Sequence, residues 1–270
     1  MRRDEINVND LESRVLTENI VLHAREAKVY NLLNPQLFNF YNRKRVRHEV
    51  NFIVKELSKN KREYDIIDLG CGTGFLTQYF LETERCNITA VDLSPEMLEI
   101  FETRIPEERR TKIKIIKSEV AAFVRREKKS YDAVVMSPLL HHLVNVEEFV
   151  RSSCQLVRRG GFYYIAFEPL KQEITSKTRF ILHRAIRALD NAYFQAYLRL
   201  KNLRLEQSIA DYQVTLGGIE PGKIIASLKD DFQIISLNKF CVRRLGLLAL
   251  LSDSIVRSEN TFSLIARRKD

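Results

Sequence analysis

The chain has 270 residues, 45% of them hydrophobic and 29% charged, enough for one sizeable α/β domain with insertions and too apolar for wholesale disorder. Its 44 Lys and Arg against 35 Asp and Glu leave a net charge of +9, which suits an anionic partner (nucleic acid, an acidic membrane surface or an acidic small molecule) without choosing among them. Four scattered cysteines, Cys71, Cys86, Cys154 and Cys241, form no CxxC pair, so neither a metal site nor a disulfide framework is expected, and a reducing, cytoplasmic setting is. The opening MRRDEINVND has no apolar signal core, and the LGLLALL run is far short of the roughly 20 residues that span a bilayer.

Residues 1–60 read as a helical segment. From Leu22 the pattern is helical with a break at Asn34-Pro35, where Asn34 suits a cap and Pro35 the first turn of the next helix. Val46, Val50, Ile53, Val54 and Leu57 recur at helical spacing and should pack on a sheet. The basic run Arg43 to Arg62, which includes Lys61, reads as a solvated face, with nucleic acid as the alternative.

The stretch IIDLGCGTGF, Ile66 to Phe75, follows. A buried apolar run carrying Asp68 breaks into Gly70, Cys71, Gly72, Thr73 and Gly74, and a periodic run from Phe75 to Leu81 resumes as a helix. Glycines permit a tight turn and let a ligand approach the main chain, while the N–H groups of the helix start favour an anionic group. The next apolar run, Ile88 to Ser94, ends on Asp92, 22 residues after Gly70, where a carboxylate can accept from both hydroxyls of a ribose. The spacing is GxGxG rather than the GxGxxG of dinucleotide folds.

Short apolar strands then alternate with amphipathic helices through Phe167, the signature of a parallel sheet with crossover helices. Ser94 and Pro95 open one helix; another runs from Val146 to Arg158 and ends at Gly160-Gly161. Between Lys171 and Ala210 there is no strand signal. Ile181, Ala185, Ala188 and Leu189 make one helical stripe, and Tyr193, Ala196, Tyr197, Leu200 and Leu203 a second. A Pro221-led helix, a strand from Phe232 to Phe240, an apolar insertion and a last strand, TFSLIARR, complete the chain. The resulting division is a helical segment at 1–60, a core at 61–170, a helical cap at 171–218, and the rest of the core at 219–270 with an insertion at 241–258.

DLGCGTG (Asp68 to Gly74), VDLSPEML (Val91 to Leu98), YDAVVMSPLLHHL (Tyr131 to Leu143) and LVRRGGFYYIAFEP (Leu156 to Pro169) together resemble the class I S-adenosylmethionine (SAM) dependent methyltransferases, most closely the small-molecule branch that includes quinone-ring enzymes. The resemblance covers roughly Asp65 to Pro169. It implies a Rossmann-like, seven-stranded, mostly parallel sheet with the last strand antiparallel, helices on both faces, and SAM as cofactor. Residue by residue it implies that Gly70, Cys71, Gly72 and Gly74 shape the cofactor loop and that Asp68 receives the methionine ammonium, directly or through water. Asp92 would take the ribose, Leu93, Met97 and Val120 the adenine faces, Glu119 the adenine amino group, and Ser137 the neighbourhood of the sulfonium. Relatives commonly place an aspartate where Glu119 stands, and often a tyrosine over the cofactor, for which Tyr30 and Tyr41 are candidates.

Transfer of a methyl group needs placement, alignment and water exclusion more than covalent catalysis. Where the acceptor must lose a proton, His141 and His142 are the nearest candidates, with His23 and Glu168 behind them. Ser137-Pro138-Leu139-Leu140 lacks the second proline and aromatic of enzymes that methylate exocyclic base nitrogens, and no cysteine stands there for cytosine C5 chemistry. The cap carries eight basic residues against three acids (Glu173, Asp190 and Glu206) beside an apolar stripe. An apolar or amphiphilic small acceptor, lipid- or quinone-like, is therefore expected, with anionic membrane contact as a partner surface. The alternatives are an RNA or protein methyltransferase, or a non-catalytic subunit with this fold.

Overall fold

The computed structural model describes residues 8–59, 62–172, 174, 176–204 and 209–270, with backbone alone at residues 8 and 9. Met1 to Asn7, Lys61, Glu173 and Glu206, which entered the charge and leader readings, lie outside the described residues.

The chain opens with α1 (Val8–Glu26), the short α2 (Tyr30–Leu33) and α3 (Phe40–Leu57). The break near Pro35 is real, but the new helix starts later than expected. Asn34 turns its amide back onto the Tyr30 carbonyl, and Asn39 is the cap, accepting from the Asn42 N–H at 2.9 Å. Next come β1 (Tyr64–Leu69), α4 (Thr77–Phe80), β2 (Cys86–Asp92), α5 (Pro95–Arg104), β3 (Ile113–Lys117), α6 (Val120–Arg126), β4 (Tyr131–Met136), α7 (Val146–Ser153) and β5 (Val157–Pro169). The cap holds α8 (Lys177–Leu200) and α9 (Tyr212–Thr215). The end of the chain holds α10 (Pro221–Leu228), β6 (Phe232–Phe240), α11 (Gly246–Leu251) and β7 (Thr261–Arg268).

The sheet has seven strands in the order β3-β2-β1-β4-β5-β7-β6. β1 to β5 pair in parallel, and β7 is antiparallel to both β5 and β6. This is the expected mixed α/β, Rossmann-like architecture. Alternation of side chains puts Ile66 on one face with Val46, Val50 and Ile53 of α3, and Ile67 on the other with Val150 of α7 and Ile224 of α10. The strand order reverses between β1 and β4, and it is at such a switch point, beyond the C-terminal ends of the strands, that open α/β sheets bind ligands.

Two local readings are corrected. The helix after the glycine loop is a single turn, α4, because residues 72–76 form consecutive turns that keep their N–H groups out of a regular ladder. α7 ends at Ser153, and Gly160-Gly161 lies inside β5 rather than closing a helix; the β4–β5 register shifts beside it, between Tyr131 and Ala133. The sequence left open which way the apolar stripes of α8 face: Ile181 is 68%, Leu189 61% and Leu200 86% exposed, while the buried face is His183, Ile186, Asp190, Phe194 and Leu198. Asp190 can be inward because it accepts from the Arg244 and Leu245 backbone N–H groups at 3.0 and 3.1 Å and pairs with the Arg244 side chain. All four cysteines are buried and free.

Candidate active site

The turn after β1 is set by three left-handed glycines, Gly70, Gly72 and Gly74, at φ of 69°, 51° and 84°. Their surroundings differ. A Cβ at Gly70 would meet the Leu139 side chain at 2.7 Å and one at Gly74 would run into the Phe101 ring, whereas nothing lies within 4 Å of the corresponding point at Gly72. The outer glycines pack the loop between β4's exit and α5, and the middle one leaves an open cradle. The Gly70 and Cys71 N–H groups donate to the Val91 carbonyl at 2.8 and 3.1 Å, tying the loop to the end of β2.

Asp92 closes that end. Its Oδ2 accepts from the Gly72 N–H at 2.8 Å and its Oδ1 from the Ser94 N–H at 2.9 Å. Burial raises its pKa, against the pull of those two N–H groups. Asp68 lies beneath the loop, 1% exposed. Its Oδ2 accepts from the Thr77 hydroxyl at 2.6 Å, and its Oδ1 is buried without a partner. Burial pushes its pKa up to about 7, the Thr77 bond opposing and the Asp92 charge adding.

A cavity of about 630 Å³ opens over these residues, within the usual range for a small-molecule site. Gly70, Cys71, Gly72, Asp92, Leu93, Met97, Glu119, Val120 and Ser137 all line it, together with Tyr30, His23 and His142. Asp68, Gly74, His141 and Tyr41 do not. Asp68 and Gly74 support the loop from below, His141 stands one layer back, and Tyr41 packs near Gly246. Glu119 also caps α6, its carboxylate accepting from the Ala121 and Ala122 N–H groups while lining the cavity.

The roof is not the cap. Among the described residues none from 171–218 lines the cavity; α1 does, through Glu12, Ser13, Val15, Leu16, Asn19 and His23. Asn19 Oδ1, His23 Nδ1 and Ser137 Oγ are buried on this wall without hydrogen-bond partners. Sequence alone does not mark Asn19. Its one available sign is its spacing, one turn before His23 on the same helix face.

Behind the wall, Glu168 is fully buried and accepts from the Leu139, Leu140 and His141 N–H groups at 2.6, 2.7 and 3.1 Å, and bonds the His141 ring at 3.1 Å. It therefore holds the turn after β4 and does not face the cavity. Asp211, unmarked in the sequence, stands 3.6 Å from His141 Nε2 and 3.5 Å from His142 Nδ1. His141, His142 and Asp211 each bring a potential ligand atom within 4.8 Å of one another, a grouping not expected from the sequence. Burial alone would lower the His141 pKa; the bond to Glu168 and the two carboxylate charges outweigh it and raise it. His142 has no such support: burial first, then the neighbouring histidines, hold its pKa well below the ordinary value. His142 Nδ1 lies 2.9 Å from the Ala210 carbonyl, and its ring meets His23 edge-on at 5.1 Å.

Residues 67–163 match a family model described as a methyltransferase domain. The ubiquinone biosynthesis O-methyltransferase of Vibrio cholerae is 25% identical over 171 residues, 62% of this chain and 68% of the relative. The malonyl-[acyl-carrier protein] O-methyltransferase of a Paenibacillus species is 27% identical over 145 residues, 52% of this chain and 50% of the relative. Among solved structures, the magnesium protoporphyrin IX methyltransferase of Synechocystis with bound S-adenosylhomocysteine (SAH) superposes with a TM-score of 0.57 at 14% identity, covering 93% of this chain and 100% of that one. The 1,6-didemethyltoxoflavin-N1-methyltransferase of Burkholderia thailandensis gives 0.57 at 15%, covering 100% and 94%.

Fold, loop and the matched methyltransferase domain together make the chain a SAM-dependent methyltransferase. SAM is its cofactor, and the residues fit that group: an open cradle at Gly72, a carboxylate at the end of β2, and an orphaned Ser137 hydroxyl on the cavity wall. The chain groups with small-molecule methyltransferases.

Proposed function

We propose that the enzyme methylates a hydroxyl of an apolar or amphiphilic small molecule, lipid- or quinone-like, with His142 as general base. The observation that carries this is the state of His142. A carbonyl can only accept, so the contact with Ala210 requires Nδ1–H, and a neutral ring with a depressed pKa then keeps its lone pair on Nε2. That ring is on the cavity wall beside His23 and Tyr30, among Leu37, Phe75, Leu139 and Leu143, a setting for an apolar body with one polar group. A relative named as a ubiquinone biosynthesis O-methyltransferase agrees with an oxygen acceptor. SAM, when bound, supplies a methyl group on a positively charged sulfur. The chain's own residues hold the acceptor, take its proton and keep water out.

Incubation of the enzyme with methyl-labelled SAM and fractionated cell extract should label the lipid and quinone pool. Label confined to RNA or protein would overturn the acceptor class. His142→Gln should lower turnover by about 10²-fold or more while SAH affinity stays unchanged. An unaffected turnover removes His142 from the base role.

The cofactor ammonium is assigned to Asp68 acting through a bridging water, because this carboxylate, with one oxygen unpartnered, lies beneath the loop and off the cavity wall. In the unliganded protein that group is mostly protonated below about pH 7 and mostly charged above it. A cation favours the charged form, so SAH affinity should rise as pH increases through about 7. Calorimetry across that range checks it: Asp68→Asn should bind weakly with a flat profile, and a variant that keeps the wild-type slope places the titrating group elsewhere.

A further inference from the structure

α8 is 24 residues long, ~36 Å, and one side of it is held to the protein by Ile186, Phe194 and Leu198. The opposite side is apolar and open. Ile181, Ala185, Leu189, Ala192, Ala196 and Leu200 succeed one another along it at helical spacing, all exposed. Surface helices normally show the reverse, a polar outer face. The exposed charges of α8 are of one sign: Lys177, Arg179, Arg184, Arg187 and Arg199. Its single acid, Asp190, is buried against Arg244. Next to it, α11 and the π turn that continues it expose Leu247 at 64% and Ile255 at 63%, and Arg179 joins the two elements through the Val256 and Arg257 carbonyls.

We infer that the outer face of α8 is a docking surface for an anionic lipid bilayer, with the helix lying flat in the headgroup region. Among the described residues no helix is long and apolar enough to cross a membrane, so contact is peripheral. An apolar strip flanked by Lys and Arg matches such a surface on both counts. The strip enters the acyl boundary while the long basic side chains reach the phosphates. A second copy of the chain fits less well, because pairing α8 with its symmetry mate sets one positive helix against another. This inference stands on the cap alone and does not depend on the identity of the methyl acceptor.

The full chain should float with phosphatidylcholine vesicles containing phosphatidylglycerol at low salt, and not with phosphatidylcholine alone. The double variant Ile181→Glu, Leu189→Glu touches no core or cavity contact. It should keep its melting temperature and SAH affinity yet lose vesicle partition by about tenfold or more. Arg184→Gln with Arg187→Gln should lower partition and its salt sensitivity together. Absence of flotation on anionic vesicles, or equal flotation of the double glutamate variant, overturns the inference. So does a dimer in light scattering, without vesicles, that the glutamate variant dissolves, since the face would then belong to a second copy.

Discussion

Asp92→Ala should weaken SAH binding by about 2–4 kcal/mol, roughly 30- to 1000-fold, with little change in thermal stability. The carboxylate lies at the cavity and, while accepting from Gly72 and Ser94, keeps lone pairs free for ribose hydroxyls. Its removal deletes those charge-assisted bonds and also releases the Gly72 N–H that fixes the open turn of the cradle. Stability is spared because two effects oppose one another. The loop loses two hydrogen bonds, but the protein also loses a carboxylate whose raised pKa records a cost of burial. Calorimetry with SAH and a thermal melt read the two quantities separately. Binding within threefold of wild type would remove Asp92 from the ribose site.

Glu168→Ala should be the most destabilising of the substitutions considered, by about 3–5 kcal/mol in urea unfolding. The side chain has no exposure and serves three backbone N–H groups and the His141 ring, none of which alanine can satisfy. The loss should depend on pH. The His141 pKa is raised in the folded state, so its pairing with Glu168 contributes fully below the ordinary histidine value and fades as pH rises through the folded value. The gap between wild type and variant should therefore be wider at pH 6 than at about pH 9, with a residual loss at high pH from the three N–H groups. A gap that widens with pH would contradict the pairing.

Much of the core was legible because its signals are local. A glycine loop between two apolar runs demands positive φ, and an acid at the end of the second run has nowhere to point but the sheet's ligand edge. The alternation of Ile66 and Ile67 between faces follows from strand geometry alone. Which face of the cap is covered was not legible, for an equally physical reason. Helical periodicity shows that α8 has two unlike faces and not which one is covered. The covered face contains His183 and Asp190, made tolerable indoors by partners at Arg243, Arg244 and Leu245 some fifty residues on. The N-terminal cover was legible only through the resemblance, which pointed to Tyr30, and the cavity is lined by Tyr30 and His23. Asn19 is an ordinary residue of a polar helix until the fold lays α1 over the loop. Glu119 shows a third limit: its place at the cavity was legible, but not the Ala121 and Ala122 donors that make it a helix cap as well.

β7 follows β6 in sequence and yet lies between β5 and β6. Among the described residues β6 has no other neighbour, so it waits beside an empty lane until β7 has been synthesised and threaded in. During translation the growing chain thus presents two unpaired ribbons, the free side of β5 and all of β6, until β7 has left the ribosome. That interval is when the nascent enzyme is most open to joining the wrong sheet. A ribosome stalled before β7 would hold a cofactor loop already shaped beside a sheet still missing its keystone.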